Sequence, residues 1–178
     1  MQAKVKFLVG LIILIIIVGG ASIFYTLTGR EPAEQPPIAD TVPEASKSFT
    51  FFNAAEEEVN INDFKGRPTV VFLWAAWCGY CKEQMPYMVD IYQKEGEGIN
   101  FIFLNAGEAP ATAKAYMAES GYNVPFYLDM QNQFSKAYGL RGIPVTFFYN
   151  SQMEVVSRHL GMITQNGVKE ELTKIKGL

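Results

Sequence analysis

The chain has 178 residues, 49% hydrophobic and 19% charged, with a formal net charge of −3, which is room for one ordinary domain with or without an appendage. An aromatic content of 13% argues against wholesale disorder. Two cysteines exclude a disulfide-stapled scaffold and a four-thiolate zinc site, a single histidine (His159) excludes a multi-histidine metal cage, and the negative balance argues against a nucleic-acid-binding face.

Residues 1–30 contain no Asp or Glu and carry Lys4, Lys6 and Arg30; removing them leaves 12 basic and 18 acidic residues, a net charge of −6. Phe7 to Thr28 is uncharged over 22 residues, and Leu11 to Val18 is unbroken Leu, Ile and Val. About 20 such residues cross a bilayer as a helix. Lys4 and Lys6 ahead of the run place residues 1–6 in the cytoplasm. Residues 7–28 are then a transmembrane signal-anchor, and the remainder is extracytoplasmic at the cell membrane. The small residues Gly19 to Ser22 keep a cleaved signal peptide open as the alternative, although the apolar run continues through Leu27. No lipidation cysteine follows it. Residues 29–47, with Pro32, Pro36 and Pro37 among polar residues, read as a semi-extended linker.

Residues 48–178 form the domain proper, and their apolar pattern switches between strand and helix. Short strands are expected at Ser48–Phe52 and Phe126–Leu128. Thr69–Trp74, Ile99–Leu104 and Val145–Tyr149 are continuous apolar runs of the kind buried on both faces of a sheet. Glu154–Leu160 is a further strand, reached through a turn at Asn150-Ser151. Met85, Met88, Val89 and Tyr92 fall at i, i+3, i+4 and i+7, so a helix runs from Cys78 to about Lys94, ended by Gly96 and Gly98. Further helices are expected at Thr112–Ser120, Gln133–Tyr138 and Gln165–Ile175. Glu56 to Glu58 reads as a solvated turn or strand end. The alternation, closed by a hairpin-like pair, implies an α/β fold: a central mixed sheet with helices on both faces.

Both cysteines lie in one Cys-x-x-Cys, Trp77-Cys78-Gly79-Tyr80-Cys81, after a buried strand and at the start of a helix. Unpaired backbone N–H groups and the helix dipole stabilise an anion at that first position, lowering the thiol pKa. Cys78 is therefore the expected nucleophile. Cys81, one turn inside and more buried, is the resolving thiol. As a purely structural disulfide the pair closes a tiny loop and restricts the unfolded chain little. As a metal pair it has only His159 or methionines to complete it.

Val71 to Lys82 around these cysteines resembles the active-site segment of the thioredoxin superfamily. Pro86 matches the proline that kinks that family's active-site helix, and Gly142-Ile143-Pro144-Val145-Thr146 resembles its cis-proline loop. The resemblance implies a cis bond at Pro144, with Ile143 backbone groups free to pair with an extended substrate. One extra strand–helix unit between Cys81 and Pro144, with the N-terminal anchor and the Asn105-Ala106-Gly107-Glu108 segment, is similar to the membrane-tethered TlpA/ResA-like group. The resemblance implies a role in keeping exported thiols reduced, often those of apocytochrome c.

Two departures stand out. Thioredoxin's buried aspartate position is Phe72 here, and the glutamate of the ResA-type helix is Gln84. Glu108, at the end of the strand running to Leu104, is the remaining carboxylate that could take a proton from Cys81 and disfavour the Cys78 thiolate. The alternative for Glu108 is a dipole-favoured place before the next helix. Trp77, beside the nucleophile, is expected as an exposed docking edge, and with Gly79, Tyr80, Ile143 and Pro144 it makes up the candidate substrate-binding set. Trp74, Tyr92, Met85 and Met88 are expected in the core, and His159 in a structural role.

The expected activity is that of a membrane-anchored thiol–disulfide oxidoreductase, reducing disulfides of exported proteins and recharged by a membrane thiol–disulfide electron donor. It needs no cofactor beyond the Cys78–Cys81 disulfide and no metal. An oxidising exchanger and a copper(I) carrier are the alternatives. A peroxidase is disfavoured because the threonine it would need is Ala75.

Overall fold

A computed structural model of the chain describes residues 48–177; the expected cytoplasmic segment 1–6, anchor 7–28 and linker 29–47 lie outside the described residues. Among the described residues no helix is long and apolar enough to cross a membrane.

The order is β1 (Thr50–Asn53), β2 (Glu58–Asn60), a 3₁₀ turn (Ile61–Phe64), β3 (Thr69–Trp74), α1 (Gly79–Glu95), β4 (Asn100–Ala106), α2 (Pro110–Glu119), β5 (Phe126–Asp129), α3 (Gln133–Tyr138), β6 (Val145–Tyr149), β7 (Val155–Leu160) and α4 (Gln165–Lys176). One seven-stranded sheet holds them in the order β2-β1-β5-β4-β3-β6-β7. β3, β4 and β5 run parallel, while β1, β6 and β7 join antiparallel to their neighbours. The sheet is therefore mixed, as the element pattern requires.

Every side chain of β3 is buried. Alternation splits the strand between two cores. Val70, Phe72 and Trp74 pack with Phe101 and Phe103 of β4 on one face, while Val71 and Leu73 pack with Ile102 and Leu104 on the other. The strands β3, β4 and β5 march in one direction across the sheet, so right-handed crossovers put α1 and α2 on the same face. Met85, Met88 and Ile91 of α1, Ala113 and Met117 of α2, and Val168 and Leu172 of α4 fill that face. The opposite face receives Phe134 of α3 with Phe49, Phe51 and Ile61. Among the described residues, helices thus cover both faces, three on one and one on the other. Tyr92 packs against the first core, and Met85, Met88 and Trp74 are fully buried in it.

Several boundaries shift for local reasons. β1 begins two residues later than the Ser48–Phe52 pattern suggests. It turns back at Asn53, whose side chain accepts from the Ala55 and Glu57 N–H groups. β2 and the 3₁₀ turn have no strong signature in sequence: β2 is three half-exposed residues, and the turn is set by a capping box between Asn60 and Asp63. α2 starts at Pro110 rather than Thr112, because proline suits the first helical position. β4 continues past Leu104 to Ala106, and β7 begins one residue after Glu154. The Asn150-Ser151 turn is closed by the Asn150 side chain, which accepts from the Gln152 and Glu154 N–H groups.

Candidate active site

The parallel strands β3 and β4 end at the same edge of the sheet, where ligand sites form in open α/β folds. The segment after Trp74 leads to the Cys-x-x-Cys, and the segment after Asn105, Trp74's partner in register, leads to Glu108.

Cys78 is the N-cap of α1, with extended backbone, and its Sγ accepts the Cys81 N–H at 3.1 Å. The two cysteines are joined as a disulfide. The pairing follows from the helix itself: one turn brings residues three apart onto one face, with the Cα atoms at 5.2 Å. Cys81 is 1% exposed and Cys78 5%. The order of burial is the one the sequence implies, although both sulfurs are well covered.

The bond from Ile143 to Pro144 is cis. The loop lies across the disulfide, with the Ile143 carbonyl oxygen 3.8 Å from Cys78 Sγ. Among the described residues no acceptor takes the Ile143 N–H. Trp77 and Tyr80 are 71% and 68% exposed in a domain whose other aromatics are mostly buried. Gly79 opens α1 between them, with open space where a Cβ would stand. The structure therefore gathers Trp77, Cys78, Gly79, Tyr80, Ile143 and Pro144 at one edge.

Glu108 joins them from below. Its Oε2 accepts the Ala76 N–H at 2.7 Å and the Asn105 side-chain amide at 2.6 Å. The carboxylate is thus fastened to the loop that carries Cys78, rather than merely capping α2, whose N-cap is Ala109 with no side-chain cap. Gly107 makes this return possible. Its φ is +69°, and a Cβ there would meet the Asn132 side chain at 2.3 Å. Behind it, Asp129 caps α3 by accepting the Gln133 and Phe134 N–H groups. Burial raises the Asp129 carboxyl pKa, against the lowering pull of those two N–H groups.

Gln84 has a part that sequence does not reveal. Fully buried on α1, it donates through Nε2 to Thr146 Oγ1 at 3.2 Å and accepts the Ile163 N–H at 3.3 Å. It ties the active-site helix to β6 just beyond Pro144, and to the segment before α4. A polar residue inside the apolar stripe of α1 was the available signal. Phe72 sits in aromatic surroundings, its ring edge-on to Phe103, and packs in the core with Met85 of α1. Pro86 is inside α1. His159 is exposed rather than buried in its strand, and its Nε2 bonds the Met162 carbonyl at 2.9 Å. Among the described residues no group of three or more His, Cys, Asp or Glu side chains is arranged to hold a metal ion.

Comparisons with known proteins bear on the family and the fold. Residues 37–174 match the Redoxin family. The chain is 28% identical over 159 residues to the thiol-disulfide oxidoreductase ResA of Geobacillus thermodenitrificans, covering 88% of this chain and 89% of that one. To ResA of Bacillus subtilis it is 28% identical over 130 residues, covering 72% and 73%. Among solved structures, a DsbE-type thiol:disulfide interchange protein of Chlorobium tepidum gives a TM-score of 0.67 at 21% identity, over 74% of this chain and 94% of that one. StoA of Bacillus subtilis gives 0.62 at 22% identity, over 71% and 96%. These structures establish a thioredoxin-like fold. With the family matched across most of its length, the chain belongs to the Redoxin family, as a ResA-like oxidoreductase of the thioredoxin superfamily.

Proposed function

We propose that this thiol–disulfide oxidoreductase works outside the cytoplasm as a reductant of disulfides in exported proteins, apocytochrome c among them, held at the membrane by residues 7–28. The observation that carries the redox reading is the placement of Cys78 at the α1 N-cap, its sulfur accepting the Cys81 N–H and facing the Ile143–Pro144 loop. A sulfur so placed is stabilised as a thiolate by the helix N-terminus.

In the reductive direction the Cys78 thiolate attacks one sulfur of the substrate disulfide. The substrate S–S bond breaks, one substrate sulfur leaves as a thiolate, and a mixed disulfide forms. Cys81 then loses its proton and attacks Cys78 Sγ, closing the Cys78–Cys81 disulfide and releasing the second substrate thiol. Two electrons pass to the substrate. A membrane dithiol donor returns the pair to the reduced state. Exposed Trp77 and Tyr80 offer contact surface, and the unpaired Ile143 N–H offers a main-chain donor to an extended segment. The hydrophobic run before the linker, with Lys4 and Lys6 ahead of it, supports the location.

The mechanism demands a trappable intermediate. Cys81→Ser, incubated with a disulfide-containing protein, is expected to accumulate a mixed disulfide through Cys78, visible as a mass adduct lost on reduction. The double variant Cys78→Ser/Cys81→Ser should give none. Absence of any adduct with Cys81→Ser would remove the proposal.

Glu108 acts on the cysteine pair by its charge as well as by the loop it holds. Glu108→Gln retains an acceptor for the Ala76 N–H but deletes the charge. Because that charge disfavours the nearby thiolate, its loss favours the dithiol form, and the reduction potential is expected to rise by about 10–30 mV. Equilibration against glutathione measures it. A structural tie alone would leave the potential where it was.

A further inference from the structure

Two cavities meet beside the Ile143–Pro144 loop, on the side that α3 covers. The first, about 420 Å³, runs between Tyr138 and Leu140 at the end of α3 and Arg158 and Leu160 of β7, with Pro144 in its wall. The second, about 340 Å³, is lined by Trp77 and Asn132 and shares Leu140, Arg141, Gly142 and Ile143 with the first. Together they make a trough from the edge strand β7, past the cis-proline loop, to the exposed tryptophan beside Cys78.

The charge of this trough opposes that of the chain. Residues 31–178 carry 18 acidic and 12 basic side chains, yet no Asp or Glu lines either cavity, and two arginines do. Among the described residues the ion pairs use Lys94, Lys114, Lys169 and Lys174, and neither Arg141 nor Arg158 takes part in one. Phe147 opposite Arg158 on β6 is buried and apolar, so it gives the guanidinium no counter-charge across the strands. Leu160, 47% exposed, adds an apolar strip along the same strand. A guanidinium presents a planar fork of donors that fits a carboxylate at two points.

We infer that this trough selects substrates by charge, taking an extended peptide segment that carries acidic side chains next to its disulfide cysteine, with Arg141 and Arg158 pairing to those carboxylates. The inference rests on the reading of Cys78 and Cys81 as exchanging thiols, and it specifies the substrate class of that same site. The apolar wall receives the alternate side chains of the segment. Because the chain as a whole is negative, long-range attraction would favour a basic peptide, so a preference for an acidic one reports the local trough.

The test uses the full chain, reduced, with three disulfides: a peptide flanked by Glu, a peptide matched in length and apolar residues but flanked by Lys, and neutral 2-hydroxyethyl disulfide. The Glu peptide is expected to be reduced about tenfold faster than the Lys peptide at low salt, with the gap narrowing as ionic strength rises. Arg141→Glu combined with Arg158→Glu is expected to reverse the order. Equal rates, or a faster Lys peptide, with the unaltered chain would overturn the inference, whatever the folding of the variants. Failure to reduce all three disulfides, the neutral one included, would instead sink the redox reading beneath it.

Discussion

Replacing Cys78 with Ser is expected to lower thiol–disulfide exchange by about three orders of magnitude or more, while leaving the reduced domain folded. The two halves of that expectation have different origins. Activity depends on a thiolate, and a serine hydroxyl at neutral pH is neither ionised nor able to form the mixed disulfide. Stability depends on the cap: Cys78 Sγ accepts the Cys81 N–H, and serine is a favoured N-cap residue whose oxygen can accept a helix N–H in the same way. The change in unfolding free energy, measured by denaturant titration against the reduced wild-type chain, should stay within about 1 kcal/mol. The oxidised wild type is the wrong reference, because its disulfide adds a constraint that neither serine variant has. A Cys78→Ser chain that exchanges at an appreciable fraction of the wild-type rate would move the nucleophile to Cys81, which is almost wholly buried.

What could be read from sequence divides along a physical line. Runs with both faces buried were legible to the residue: β3 at Thr69–Trp74 and β6 at Val145–Tyr149 have the boundaries their apolar runs suggest, since no exposed position interrupts them. β2 was not legible, because Glu58–Asn60 is half exposed and owes its conformation to pairing with β1. At the site, the strand-to-helix position of Cys78 could be inferred from neighbouring residues, because a cap is a local event. The hold of Glu108 on Ala76 joins residues 32 apart through the parallel register of β3 and β4, and no local pattern encodes it. Sequence could bring Glu108 to the right edge of the sheet but could not choose between a cap and a loop tie. The same applies to Gln84, whose partners Thr146 and Ile163 come from distant segments. Arg141 and Arg158 likewise share a cavity only after β7 has folded back along β6.

Restoring the thioredoxin-like carboxylate by Phe72→Asp should cost the domain about 4 kcal/mol or more, a large share of the 5–15 kcal/mol typical of a domain. Phe72 lies on the central strand β3, 1% exposed, with its ring edge-on to Phe103 and packed in the core beneath α1. Truncating a buried phenylalanine costs about 3–5 kcal/mol by itself, and the incoming carboxylate finds aromatic neighbours instead of donors. Burial would raise the pKa of that aspartate in the folded state above its unfolded value, so the folded chain would hold the extra proton. The penalty should therefore be smaller below the unfolded aspartate pKa and grow as pH rises through the interval up to the raised folded value. Urea titrations of Phe72→Asp and of a Phe72→Leu control, in acid and at pH 8, separate the two contributions: the loss of packing is present in both media, and the desolvated charge only in the second. This cost explains why the departure from the thioredoxin pattern at Phe72 cannot be undone at one position. If Phe72→Asp kept its stability at pH 8, a carboxylate under β3 would be tolerated after all, and the desolvation cost argued for this position would have to be given up.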